Sequence, residues 1–99
     1  MTEHPLKVFE SIDPELLEVV ENTRKFALSD GALPRKFKLL IAMALDAAAG
    51  TADGVKSLAE QSMKAGATKE EITEALRVAL FISGVGSVYP AGRGLKELF

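Results

Sequence analysis

The sequence predicts an all-α fold of about five helices, and three observations support this prediction. Apolar residues recur at spacings of three and four along most of the chain, as they do on the buried face of a helix. Residues typical of helix starts and helix ends flank these segments. No stretch alternates between polar and apolar residues between hairpin turns, so a sheet has no support. With 99 residues, 47% of them hydrophobic, we expect a single domain over residues 1–99.

The first long helix is predicted to begin at Asp13-Pro14, because an aspartate can cap the free N–H groups and a proline suits the first turn. Gly31 is expected to end this helix in a left-handed conformation. Residues 1–10, which include the one histidine, His4, are expected to form a mobile tail. The helical spacing of this segment is carried by Leu16, Val19, Val20, Thr23, Phe26 and Ala27.

The second helix follows Pro34 and is apolar on nearly all sides over residues 37–49, where only Lys38 and Asp46 are charged. Gly50 is expected to end it. A helix that is apolar all round must be buried on several sides, and a chain this short can hardly enclose one of its own helices. The pattern therefore predicts burial against another copy of the chain, in a homo-oligomer.

Two further helices have clear start signals. Thr51 is a candidate cap with Asp53 in the first turn of one helix, and Gly66 is expected to end it. Thr68 and Glu71 fit the capping box that would begin the next helix. The apolar stripe of that helix is Ile72, Ala75, Leu76, Ala79, Leu80 and Ser83, and a second contact surface is indicated by Val78, Phe81 and Ile82.

The C-terminal segment is a poorer helix former. Gly84 and Gly86 break the preceding helix, and Pro90, Gly92 and Gly94 lower the helix propensity of the chain beyond that break. We therefore expect only a short terminal helix within residues 88–99.

Charge and composition exclude several classes of function. A net charge of -2 gives no electrostatic surplus for binding a phosphate backbone, so we expect no nucleic-acid partner. The first residues lack the pattern of a signal peptide, and no run reaches the roughly 18 apolar residues of a membrane span, which predicts a cytoplasmic protein. The sequence has no cysteine, which excludes disulfides and thiolate chemistry. With one histidine, we expect no metal site and no cofactor.

The helix boundaries together carry a resemblance. An apolar helix that ends at Gly50 is followed by a helix that ends in residues 64–68, and the most specific stretch is residues 65–72 with the downstream residues 74–76. This arrangement, over residues 33–91, resembles the carboxymuconolactone decarboxylase and alkylhydroperoxidase D family. The resemblance implies an AhpD-like bundle around an antiparallel helix pair, assembled as a trimer or hexamer.

In the peroxidase branch of that family, a glutamate precedes two cysteines and a histidine at the start of the second helix. The resemblance places the cysteine positions at Thr51 and Gly54, the histidine position at Leu58, and the glutamate position near Leu39. None of these residues can act as a thiol or carry a proton. The family label alone implies alkylhydroperoxidase activity, whereas the residues favour a decarboxylase-like lyase if the chain is an enzyme.

Four residues remain as candidates for a site. Asp46 is either an acid or base in a cleft or a structural group paired across an interface with Lys38 or Lys56. Thr51 either caps its helix or helps the free N–H groups there to bind a carboxylate or phosphate.

Tyr89 and Arg93, four residues apart, either hold an anionic ligand or anchor the chain terminus. Two main hypotheses remain for the function. In the first, the chain binds or transforms a small organic acid without thiols. In the second, it is a redox-inactive structural or assembly subunit of the family.

Overall fold

The computed structural model describes residues 4–99, which contain α-helices and 3₁₀ turns and no strand. The all-α prediction is confirmed. Residues 1–3 of the expected tail lie outside the described residues, whereas residues 5–12 are helical. The helices are α1 (Phe9–Ile12), α2 (Pro14–Leu28), α3 (Arg35–Ala49), α4 (Ala52–Lys64), α5 (Lys69–Ser83) and α6 (Val88–Leu95), with 3₁₀ turns at Pro5–Val8 and Val85–Ser87.

Local capping chemistry fixes several of these helix ends. The Asp13 carboxylate accepts a hydrogen bond from the Leu16 N–H at 3.0 Å, which begins α2 as predicted. Thr68 and Glu71 form a complete capping box at the start of α5, with both hydrogen bonds present. Gly50 ends α3 with a φ of 84°, a left-handed conformation that glycine adopts without steric strain.

The connection between α2 and α3 differs from the prediction. Gly31 has no left-handed φ, so its predicted capping role is wrong. The chain instead leaves α2 through an extended Ser29, with φ -65° and ψ 147°. Two hydrogen bonds then hold the connection: the Arg35 N–H donates to Asp30 Oδ1 at 2.6 Å, and Lys38 Nζ donates to the Ser29 carbonyl at 2.7 Å.

The core lies between α3, α4, α5 and α6. Helices α3 and α4 are joined by a tight connection and form a closely packed hairpin, α5 packs against α3, and α6 packs against α4. Neither α1 nor α2 contributes a buried residue. Among residues 4–99, no helix combines the length and apolarity needed to cross a bilayer. The buried cluster consists of Leu40, Met43, Ala47, Val55, Ala59, Ala67, Ile72 and Ala91.

Candidate functional site

A carboxyl group lies directly against the start of α4. The side chain of Asp46, on α3, occupies the space that a Cβ atom at Gly54 would fill: such a Cβ would overlap Asp46 Oδ2 and lie 2.7 Å from Asp46 Cγ. The methyl Cγ2 of Thr51 is 3.2 Å from the same point. Asp46, Thr51 and Gly54 therefore form one cluster, and this position of the carboxylate requires a residue without a side chain at 54.

The Asp46 carboxylate is partly buried and makes no hydrogen bond or ion pair with any residue in 4–99. Removal from water raises its pKa above the ordinary value of an aspartate. Both lysines considered as its partners are engaged elsewhere in the chain. Lys56 pairs with Glu97, and Lys38 donates to a backbone carbonyl in the connection before α3. Among residues 4–99, Asp46 is thus a carboxyl group without a cationic partner.

The first turn of α4 is uncapped. Thr51 occupies the N-cap position, but its hydroxyl makes no capping hydrogen bond, so the predicted capping role of its side chain is wrong. Its N–H donates instead to the Asp46 carbonyl at 2.9 Å. The N–H groups of Ala52, Asp53 and Gly54 find no acceptor within the described part of the chain, as expected for a helix start that no side chain caps. The positive end of the α4 dipole therefore lies beside the Asp46 carboxyl.

The two remaining candidates lie apart from this cluster. Tyr89 and Arg93 are exposed on one face of α6, and the opposite face of that helix is buried against α4. In residues 4–99, no hydrogen bond or ion pair joins either side chain to Asp46 or Thr51. The structure of a single chain thus brings Asp46 and Thr51 together but does not add Tyr89 and Arg93 to them.

Comparison with known proteins identifies the family. The sequence model of the carboxymuconolactone decarboxylase family matches residues 14–93, which span α2 to most of α6. The chain belongs to this family. An uncharacterised protein of Methanocaldococcus jannaschii is 31% identical over 85 residues, which cover 86% of this chain and 79% of that protein. The crystal structure of an apo carboxymuconolactone decarboxylase family protein from Legionella pneumophila superposes with a TM-score of 0.85 at 34% identity, over 92% of this chain and 81% of that one.

The assignment of the reactive positions of the family's peroxidase branch to Thr51, Gly54, Leu58 and Leu39 stays a prediction. Thr51, Gly54 and Leu58 follow one another along a single face from the N-cap of α4, because positions three and seven residues apart share a helical face. Leu39 is fully buried in α3, and Leu58 packs against the core. No thiol or imidazole group is present at Thr51, Gly54, Leu58 or Leu39.

The contact between Asp46 and Gly54 was not predicted from the sequence. The sequence signal was Gly54 itself, because a glycine inside the first turn of a helix costs about 1 kcal/mol of helix propensity relative to alanine. Such a glycine indicates that another part of the chain packs closely against it. The reason is the close approach of α3, which sequence spacing alone does not reveal.

Substituting Gly54 with alanine tests this contact. We expect the new methyl group to push the Asp46 side chain into water and to return its pKa toward the ordinary aspartate value. The stability should change by less than about 1 kcal/mol, because the gain in helix propensity offsets the strain. Carboxyl-carbon NMR titration would follow Asp46 directly, and Gly86→Ala is the matched control because nothing lies near that glycine. An unchanged titration midpoint in Gly54→Ala would refute the contact.

Proposed function

We propose that this carboxymuconolactone decarboxylase family protein binds a small organic acid at the start of α4, with Asp46 as its acid group and without thiol chemistry. One observation carries the proposal: a partly buried Asp46 carboxyl with no partner in residues 4–99 lies beside the uncapped first turn of a helix. In this proposal the protein acts in the cytoplasm as a homo-oligomer.

Both halves of the cluster can contact the carboxylate of such a ligand. The free N–H groups of the first turn and the helix dipole attract a carboxylate. Asp46 repels that carboxylate while it is ionised but donates a hydrogen bond to it when protonated. Because burial raises the pKa of Asp46, the protonated form persists to higher pH than in an exposed aspartate.

The same proton would serve a lyase reaction. When a carboxylate leaves as CO₂, the bond between it and the neighbouring carbon breaks and the electron pair stays on that carbon. The proton of Asp46 would then pass to the carbon, leaving the carboxylate of Asp46 to recover a proton from solvent. General acid catalysis of this kind contributes about 10²–10⁴-fold to a rate.

Thermal-shift titration with a panel of small mono- and dicarboxylates tests the binding, since a ligand at 100 times its Kd stabilises the native state by about 2.7 kcal/mol. We expect binding to tighten as the pH is lowered toward the raised pKa of Asp46, because its carboxylate then gains a proton. In Asp46→Asn the amide donates at every pH, so carboxylate binding should persist without this pH dependence. Any turnover should fall by about 10²–10⁴-fold, because the amide has no proton to transfer.

Asp53→Asn is the matched control, because Asp53 is an exposed carboxylate in the same first turn. It should keep the pH dependence of binding that the wild type shows.

The stability of the ligand-free proteins provides a check on Asp46 itself. Since its folded pKa is raised, the free energy of unfolding of the wild type should decrease as the pH rises through that pKa, and Asp46→Asn should lack this decrease. Wild-type pH dependence of binding in Asp46→Asn would contradict the proposal.

A second candidate is a redox-inactive assembly subunit of the family. It is favoured by the packing between α3 and α4, where Leu39 and Met43 are fully buried and Leu58 and Met63 pack against the core. These side chains fill the interior that a deep ligand pocket would need. If no carboxylate in the panel stabilises the protein, this candidate replaces the first. A thiol peroxidase has no group with which to act, because the chain has no cysteine.

A further inference from the structure

A second carboxylate, that of Asp53, lies in the first turn of α4. Its side chain is exposed and makes no hydrogen bond or ion pair with another residue in 4–99. In the proposed function, the N–H groups of Ala52, Asp53 and Gly54 hold the carboxylate of the ligand. The Asp53 carboxylate therefore lies within one helical turn of the bound ligand, and any anion that binds there meets a negative charge of the protein.

In the described part of the chain, no cation neutralises this charge. Lys56 follows Asp53 by three residues along α4, a spacing at which the two side chains could pair on the helix surface. Lys56 pairs instead with Glu97, which is the main cause of its raised pKa, whereas Asp53 contributes least to that rise. Lys38 donates to a backbone carbonyl before α3, and Arg93 lies on the exposed face of α6, opposite the face that packs against α4.

The positive charge available to a ligand at this site therefore comes from the helix itself. The free N–H groups and the dipole of α4 act like roughly half an elementary charge, which favours the binding of one carboxylate. In the proposed function, Asp46 directs its proton to that same carboxylate. A second carboxylate on the ligand would find no cation to pair with in residues 4–99, and Asp53 would repel it.

We propose that the site selects monocarboxylic acids over dicarboxylic acids, and that the negative charge of Asp53 makes this selection. The inference rests on the proposed function, because it takes the start of α4 as the place where the ligand binds. A ligand with an uncharged remote end avoids the repulsion, and one with a cationic remote end is attracted to Asp53. Like charges placed together on binding exclude unwanted ligands in this way. Asp46 then contacts the carboxylate of the ligand, and Asp53 excludes ligands that carry another.

Three ligands of equal chain length that differ in the charge of the remote end test this selection. Succinate carries a second carboxylate, succinamate an uncharged amide and γ-aminobutyrate an ammonium group. Their affinities are measured by isothermal titration calorimetry with the full chain at about pH 7 and about 50 mM salt, where screening is weak. We expect succinamate to bind about tenfold more tightly than succinate, as for like charges about 6 Å apart at an effective dielectric constant of about 40. We expect γ-aminobutyrate to bind at least as tightly as succinamate.

Two variants and a change of salt separate repulsion by Asp53 from exclusion by shape. Asp53→Asn should bind succinate and succinamate with nearly equal affinity. Glu70→Gln makes the same change of charge at an exposed position in the first turn of α5, and it should keep the wild-type preference. Raising the salt to about 1 M shortens the screening distance to about 3 Å, which should reduce the wild-type preference toward one. Circular dichroism should show an unchanged helical content in both variants, because both side chains are exposed.

The possible failures point to different errors. Succinate binding as tightly as succinamate, or a preference that persists in Asp53→Asn, would overturn the selection by Asp53 and leave the carboxylate site intact. Loss of the preference in Glu70→Gln would also overturn it, because the effect would then come from the net charge of the protein. Absence of binding by all three ligands would refute the proposed function and this inference with it.

Discussion

Replacing Ile72 with alanine is expected to lower the free energy of unfolding by about 2–5 kcal/mol, as truncation of a large buried aliphatic side chain does. Ile72 is fully buried and is the residue by which the first turns of α5 enter the core. Most other members of that core are alanines or valine, so little side-chain volume is available to fill the cavity. Urea unfolding followed by circular dichroism, at one fixed protein concentration, would measure the loss.

Glu74→Ala is the control for Ile72→Ala. Glu74 is exposed on the same helix and lies outside the core, so its substitution should change stability by less than about 0.5 kcal/mol. Similar small losses in both variants would show that α5 is not held by the buried cluster.

Replacing Gly94 with alanine is expected to force α6 away from α4. A Cβ at this buried position would lie 2.6 Å from the Ala52 carbonyl oxygen and 3.0 Å from the Lys56 backbone nitrogen. Both are backbone atoms, which cannot rotate aside as the Asp46 side chain can. Overpacking of this kind destabilises by about 1–3 kcal/mol, more than the roughly 1 kcal/mol that alanine gains in helix propensity. Thermal unfolding would measure the difference.

Gly92 provides a control in the same helix. It is exposed, and a Cβ there would meet nothing within 4 Å. Gly92→Ala should therefore stabilise the protein slightly, by up to about 1 kcal/mol, through helix propensity alone. Equal effects of the two substitutions would show that the close approach of α6 and α4 has no energetic importance. A stability loss confined to Gly94→Ala, together with weakened carboxylate binding, would connect α6 to the start of α4.

Local chemistry made several helix ends predictable. The Asp13 cap, the Thr68 and Glu71 capping box and the left-handed Gly50 each depend on residues close together in sequence, and the structure shows each of them. Val78, Phe81 and Ile82, predicted to form a second contact surface, are exposed in the single chain, so that surface stays a prediction. These features need no knowledge of how the helices pack.

Other features depend on tertiary packing and were not predictable. Gly31 resembles a helix cap in sequence, but the hydrogen bonds of Asp30 and Lys38 direct the chain differently. The Thr51 hydroxyl has the chemistry of a cap and does not act as one. The approach of Asp46 to Gly54 follows from the crossing of α3 and α4, which no local pattern specifies. The proximity of Asp46 to the start of α4 was therefore not predictable, and the roles of Asp46, Thr51, Tyr89 and Arg93 as site residues stay predictions.

Helices α1 and α2 have a consequence for how this protein responds to dilution. Since neither helix contributes a buried residue within one chain, roughly a fifth of the sequence gains little stabilisation from packing in the single chain. Isolated helices of about 15 residues or fewer are marginal in water. If packing against other copies of the chain stabilises this segment, a fall in protein concentration would release it first. The released backbone would be exposed to proteases. Unassembled chains would then be degraded preferentially.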